Sequence, residues 1–179
     1  MPSLRFARVA SPLGPLWIAA TDAGVTAASR SEPLEAFLAP LRRRFPGHEP
    51  VPAELDAGWL AGASLPPVDL TGLSAFDQAV YEVVRGVPPG ETITYGEVAA
   101  LIGSPGAARA VGGAMSRCPL FPAVPCHRVV RAADGWSGWG GDEWLKRRLL
   151  AAERRGPSPD ADQGGTVGAN RAASRRGAS

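Results

Sequence analysis

Two cysteines, two histidines and a single lysine are all that 179 residues provide of these types, and each scarcity removes a class of reading. Cys118 and Cys126 are too few for a disulfide scaffold, and the N-terminal run Met1-Pro2-Ser3-Leu4-Arg5-Phe6 lacks the apolar stretch of a secretory signal, so a reducing cytoplasm is the expected setting. His48 lies in a Pro/Gly-flanked loop and His127 directly follows Cys126, a spacing that matches no closed zinc site; no metal and no cofactor are expected. No apolar run approaches the ~20 residues that cross a bilayer, so no membrane association is expected. Lys146 is the only lysine and the net charge is +2, so the positive charge is almost all arginine and any nucleic-acid contact must come from a local surface.

What is present is 45% hydrophobic content, enough to bury a core in one medium domain or two small ones, with no internal repeat. Residues 3–10 and 15–29 read as short strands, with Leu16 and Ile18 alternating against their neighbours and Thr21-Asp22-Ala23-Gly24 turning a hairpin. Leu34, Phe37, Leu38, Leu41 and Phe45 fall at helical spacing up to Pro46-Gly47, with Arg42, Arg43 and Arg44 expected mostly on the solvated side. Residues 46–72, rich in Pro, Gly and Ala, read as a long connection. The expected division is an α/β unit over 1–72, a mainly helical unit over 73–155 and a disordered tail over 156–179, which lacks apolar periodicity.

The second unit opens on Ser74 with Asp77 three residues later, a capping signal for a helix whose stripe is Phe76, Val80, Val83, Val84 and Val87 and which ends at Pro88-Pro89-Gly90. Thr94 and Glu97 repeat the signal for a short helix over 95–102. Ser104-Pro105 then reads as the N-cap and first residue of another helix through Met115. Two short helices across a glycine-containing turn form a helix-turn-helix pattern, which occurs both in DNA-binding proteins and as a plain packing unit. In the second of them Val111 and Met115, with Ala107, Ala110 and Ala114, can face a core, while Arg109, Gly112, Gly113 and Ser116 share another face. Each mid-helix glycine costs about 1 kcal/mol relative to alanine, so this face must admit either a bulky partner or a closely packed helix.

Val124-Pro125-Cys126-His127-Arg128-Val129-Val130 carries the chemistry. A free thiol is mostly protonated at neutral pH, and an adjacent base such as His127 changes what it can attack. Neighbours on an extended strand point to opposite faces, so either the backbone bends at Pro125 or a water bridges the two side chains. Asp134-Gly135 and Ser137-Gly138-Trp139-Gly140-Gly141 read as a flexible loop able to fold a ring over a flat ligand. Asp142 starts a last helix with Leu145, Leu149 and Ala152 inward, on which Glu153 would be half buried and need a partner.

Pro125-Cys126-His127-Arg128-Val129-Val130, together with Tyr95 and the run 107–115 (Ala-Ala-Arg-Ala-Val-Gly-Gly-Ala-Met), closely resembles the O6-alkylguanine-DNA alkyltransferases over about residues 74–153. The resemblance implies an N-terminal α/β RNase H-like domain and a mainly α C-terminal domain whose helix-turn-helix enters the DNA minor groove, acting as a monomer. It implies Cys126 as alkyl acceptor, His127 as base through a bound water, Glu153 as the acid orienting it, and Tyr95 as proton donor to the leaving guanine. Arg109 would replace a flipped nucleotide in double-stranded DNA, with Ala107, Ala108, Gly112, Gly113, Ser116 and Arg128 at the DNA surface. Trp139, Gly140, Val129 and Cys118 would line the substrate pocket. The implied substrate is O6-alkylguanine, with O4-alkylthymine as a second candidate, and the thioether product implies one repair per molecule.

Three positions depart from the family pattern. Trp139 stands in place of a tyrosine, Gly140 lacks a hydroxyl that some members carry, and Cys118 replaces an asparagine before Pro119 whose amide hydrogen bonds a thiol cannot reproduce. A lesion-binding protein without transfer is the alternative reading, disfavoured by the presence of Cys126; a Cys-His hydrolase would need an oxyanion hole that the sequence does not suggest.

Overall fold

The computed structural model describes residues 3–30, 33–61, 64–133, 135 and 142–156. Strands β1 (Arg5–Val9), β2 (Leu16–Thr21) and β3 (Gly24–Ser29) form an antiparallel meander, and β4 (Val51–Pro52) adds parallel to β1, giving the order β3-β2-β1-β4. The hairpin turns where expected. Gly24, at φ +142°, has no substitute there because a Cβ would stand 2.4 Å from the Pro67 carbonyl oxygen. β4 is hidden inside the expected connection: it is two residues long and both are exposed, so it shows no alternation.

The sheet separates two apolar clusters by the two-residue period of its strands. Phe6, Ala19 and Ala27 face Phe37, Leu38 and Leu41 of α1 (Leu34–Arg44), while Leu16, Ile18 and Val25 join the larger cluster built with the later helices. Val25 and Ala27 would share a face in an unbroken strand. The register shift between Ala19 and Ala20 lets them face opposite ways, with Thr26 between them donating to the Asp69 carbonyl. Of the arginine run, Arg42 pairs with Glu35 and Glu49 at the surface as expected. Arg44 does not: its guanidinium is half buried and donates to the carbonyls of Thr26, Asp69 and Thr71, tying α1 to the sheet and to the chain entering the next helix.

α2 (Ala75–Arg85) starts on Ser74, whose hydroxyl accepts from the Asp77 backbone N–H. Its buried side includes Val80 and Val84 and also Tyr81, whose hydroxyl donates to the Ala114 carbonyl at 2.9 Å. α3 (Tyr95–Leu101) carries the full capping box of Thr94 and Glu97. α4 (Ala108–Ser116) begins later than Ser104-Pro105 suggests, because Gly106 takes φ +91° and interrupts any right-handed turn there. Val111, Ala114 and Met115 are buried against α2 and α3, whereas Ala110 is exposed.

β5 (Ile93–Thr94) and β6 (Val129–Val130) pair in parallel, and α5 (Glu143–Arg155) closes the described chain. In α5 the inward residues are Leu145, Lys146 and Leu150, while Leu149 is only partly covered and Ala152 is exposed. Asp142 does not cap α5 with its side chain; it pairs with Arg30 at the end of β3. The larger cluster draws on both sides of residue 72, so the sheet and the helices share one core. Among the described residues no helix is long and apolar enough to cross a membrane, and no group of three metal-ligating side chains occurs.

Candidate active site

Pro125 bends the chain immediately before the thiol. Its ring holds φ at −78°, and with ψ 65° it makes an inverse γ-turn in which the Cys126 N–H donates to the Val124 carbonyl at 2.8 Å. Cys126–Arg128 then form one 3-10 turn, the Arg128 N–H donating to the Pro125 carbonyl, before β6 begins. Pairing of β6 with β5 anchors this turn to the strand that runs directly into Tyr95 at the start of α3. The bend expected from Pro125 is therefore present, and Cys126 and His127 do not lie on an extended strand.

His127 is buried, its ring standing perpendicular to that of Phe121. Its Nε2 lies 2.7 Å from Glu153 Oε1. Glu153 also accepts from Arg128 Nη2 at 2.8 Å and from the Gly90 N–H at 2.9 Å. Burial raises the carboxyl pKa, but the hydrogen bonds from His127, Arg128 and Gly90 outweigh it and bring the group down to about 2. An ionised carboxylate only accepts, so Nε2 carries the ring proton it shares with Glu153. His127 Nδ1 is buried without a partner, and whenever the ring is neutral with its proton on Nε2 the lone pair lies on Nδ1.

Arg128 corrects an expectation. Predicted at the DNA surface, it is buried instead, its guanidinium divided between Glu153 and the Val87 carbonyl at 2.6 Å. It secures Glu153 to the end of α2 and is withdrawn from any external phosphate.

Cys126 is 3% exposed and belongs to the larger core cluster. Its pKa stands well above the ordinary thiol value, chiefly through a hydrogen bond with the Cys118 side chain and then through burial, against smaller opposing effects of its own backbone N–H and Lys146. At rest it is a thiol, so a base must act when it reacts. Lys146, which sequence reasoning passed over, is fully buried and donates to the Val129 carbonyl. Its only signal was its singularity as a lysine, seven residues before Glu153 and so on one helix face with it.

On α4, Arg109 and Ser116 are exposed, and Ala107, Ala108, Gly112 and Gly113 are partly exposed. A Cβ on Gly112 would meet only the Tyr95 ring, at an ordinary 3.9 Å, whereas one on Gly113 would stand 3.0 Å from the Arg117 guanidinium that Asp77 holds. No other helix in the described structure requires Gly112. Arg117 is held by Asp77 through two hydrogen bonds of 3.1 and 2.5 Å, which fixes the end of α4 to the first turn of α2. The structure thus brings together Cys126, His127, Glu153, Arg128, Val129 and Cys118, places Tyr95 beside Gly112, and leaves Arg109 on the outer face. Trp139 and Gly140 lie outside the described residues, as do 157–179 of the expected tail.

The model of the 6-O-methylguanine DNA methyltransferase DNA-binding domain matches residues 75–155. A methylated-DNA–protein-cysteine methyltransferase of Mycobacterium bovis is 36% identical over 155 residues, covering 84% of this chain and 93% of that protein. A DNA base-flipping protein of Thermus thermophilus is 39% identical over 155 residues, covering 80% and 95%. The crystal structure of Mycobacterium tuberculosis OGT in complex with DNA superposes with a TM-score of 0.65 at 33% identity, covering 84% of this chain and 93% of that one. With the bent Pro-Cys-His-Arg turn, the carboxylate behind the imidazole and relatives matched over most of their length, this chain belongs to the O6-methylguanine-DNA methyltransferase family.

Proposed function

We propose that this chain repairs DNA by moving the alkyl group from O6 of guanine to Cys126 Sγ, once per molecule. The Sγ–carbon bond forms as the carbon–oxygen bond breaks; the thiol proton passes to His127 Nδ1 through a bound water, and Tyr95 donates a proton to the departing guanine. Glu153 acts through the imidazole and is a positioning residue. The observation that carries this reading is the buried His127 ring, bonded at Nε2 to an ionised carboxylate and unpartnered at Nδ1, one residue from the thiol. A thioether offers water no activated carbonyl, so the modified protein has no route back.

We read the four-stranded sheet as an RNase H-like scaffold and α3 and α4 as a helix-turn-helix that lays α4 in the minor groove of double-stranded DNA. Arg109 then fills the place of the flipped O6-alkylguanine, and the face of Ala107, Ala108, Gly112, Gly113 and Ser116 lets the helix approach. Gly112, which nothing in the described structure requires, supports this. Val129, Cys118, Trp139 and Gly140 would border the base pocket, and O4-alkylthymine is the second substrate to test.

Incubation with O6-methylguanine duplex and intact-mass measurement tests the reading: a gain of about 14 Da confined to the Cys126 peptide is expected, stoichiometric with repaired base. Cys126→Ala should bind the lesion without any gain. Tight binding by the unaltered protein with no gain would instead mark a lesion-binding protein, and repeated turnover without modification a hydrolase.

A further inference from the structure

The arginine run of α1 is only partly accounted for. Arg42 pairs with Glu35 and Glu49, and Arg44 gives its N–H groups to three carbonyls, but Arg43 is exposed and has no partner among the described residues. Together with Arg30, Arg44 and Arg117 it lines a cleft of about 760 Å³ between α1, β3 and the end of α4. Among the described residues no carboxylate lines this cleft, and Phe37, Leu41 and Phe121 give it apolar walls. Asp142 answers Arg30, Asp77 answers Arg117 and Asp69 lies near Arg44, which leaves the charge of Arg43 unanswered. Such a charge beside low-dielectric walls attracts an anion more strongly than it would on an open surface.

The cleft opens beside the face of α4 proposed to meet DNA. Ser116 belongs to both, and the Arg117 side chain runs back along that face, its Nη1 3.0 Å from where a Gly113 Cβ would stand. The groove between α2 and α3, by contrast, is lined by Glu82, Glu91 and Glu97 and by no basic residue. Of these two grooves, only the one at the end of α4 suits a polyanion. We propose that this cleft holds a phosphodiester of the DNA strand that runs off the end of α4, with Arg43 as its cation, so that the N-terminal unit shares in DNA binding. A guanidinium suits the task, since it donates to two phosphate oxygens at once and stays charged at any working pH. Neutralising that phosphate releases its counterions in addition to those displaced along α4.

The path of the strand rests on α4 being the DNA-facing helix; the cation in the cleft does not. Affinity of the full-length protein for an undamaged duplex is measured by fluorescence anisotropy between about 50 and 200 mM salt. Arg43→Gln should make the slope of log affinity against log salt shallower by about 0.9 and weaken binding about five- to tenfold near 0.1 M salt. Its melting temperature should not move, because the side chain has no partner to lose. Arg43→Lys, which keeps the charge, should restore most of the slope. Arg8→Gln, which removes an exposed arginine lying over the Trp17 ring, should leave the slope as it is. An unchanged slope in Arg43→Gln, or an equal loss in Arg8→Gln, overturns the proposal. If Arg43→Gln makes the slope shallower while Gly112→Ala leaves duplex affinity unaltered, the reading of α4 fails and the cleft site stands. If only Gly112→Ala weakens binding, the cleft site fails and the reading of α4 stands.

Discussion

Glu153 Oε1 lies 2.7 Å from His127 Nε2 and 2.8 Å from Arg128 Nη2, so a single carboxylate oxygen serves two adjacent residues with opposite demands. The guanidinium needs a full negative charge in a buried place, and the imidazole needs an acceptor that fixes its tautomer. Glu153→Gln removes the charge and keeps the shape. It should destabilise the fold by about 3 kcal/mol, because Arg128 is left buried without a counter-charge. It should slow transfer by about 100-fold, the lower end of what general-base catalysis contributes, because the imidazole base is no longer held in its tautomer. Urea unfolding and single-turnover mass kinetics measure both, and a folded variant with the normal rate would remove Glu153 from the relay.

The same carboxylate sets an acid limit. Its pKa is about 2 in the fold against an ordinary 4.5, so its contribution is complete above pH 4.5 and is lost as the pH falls through 4.5 toward 2. That loss is about 2–3 kcal/mol. Asp69 acts in the same direction: burial raises its pKa, but the hydrogen bonds from Thr21 and Thr71 and the nearby Arg44 prevail and lower it. Urea midpoints should be flat from neutral pH to about 5 and then decline, and Glu153→Gln should flatten that decline.

Gly112→Ala separates folding from DNA binding. The added Cβ meets only an ordinary contact with Tyr95, so the variant should gain about 1 kcal/mol from helix propensity. A chain of this size should then melt about 2–4 °C higher. If α4 lies against DNA, the methyl group obstructs that approach, so affinity for duplex should fall as stability rises. Equal affinity would move the DNA surface elsewhere.

Arg109 and Arg128 differ in burial, and their variants should fail differently. Arg109→Ala should leave the melting temperature unchanged and reduce capture of the lesion in duplex DNA. Arg128→Met should cost about 3 kcal/mol in stability through the stranded Glu153. It should also leave the salt dependence of DNA binding unchanged, since the side chain releases no counterion. A shallower salt slope in Arg128→Met would return that residue to the interface.

Much of this arrangement is readable from local chemistry. The hairpin, the Ser74 and Thr94 caps and the bend at Pro125 each follow from a few neighbouring residues, and Glu153 announces itself as an acid on a partly apolar face. What the sequence conceals depends on distant partners. Arg128 reads as surface charge until Glu153 and the Val87 carbonyl are brought to it, and Arg44 reads as solvated until three carbonyls converge on it. β4 and the β5–β6 pair are too short to show a period. The start of α4 is concealed because Ser104-Pro105 is a sound local opening that the left-handed Gly106 overrides.

The burial of Lys146 gives the molecule a built-in clock. Its Nζ is the only side-chain amine in the chain, and it is sealed under α5 against the Val129 carbonyl, one turn beyond the reactive thiol. Lifting α5 from β6 would open that nitrogen to an acylating reagent, and it would also carry Glu153 away from His127. The rate of acylation at Lys146 therefore reports how often the resting protein separates Glu153 from His127.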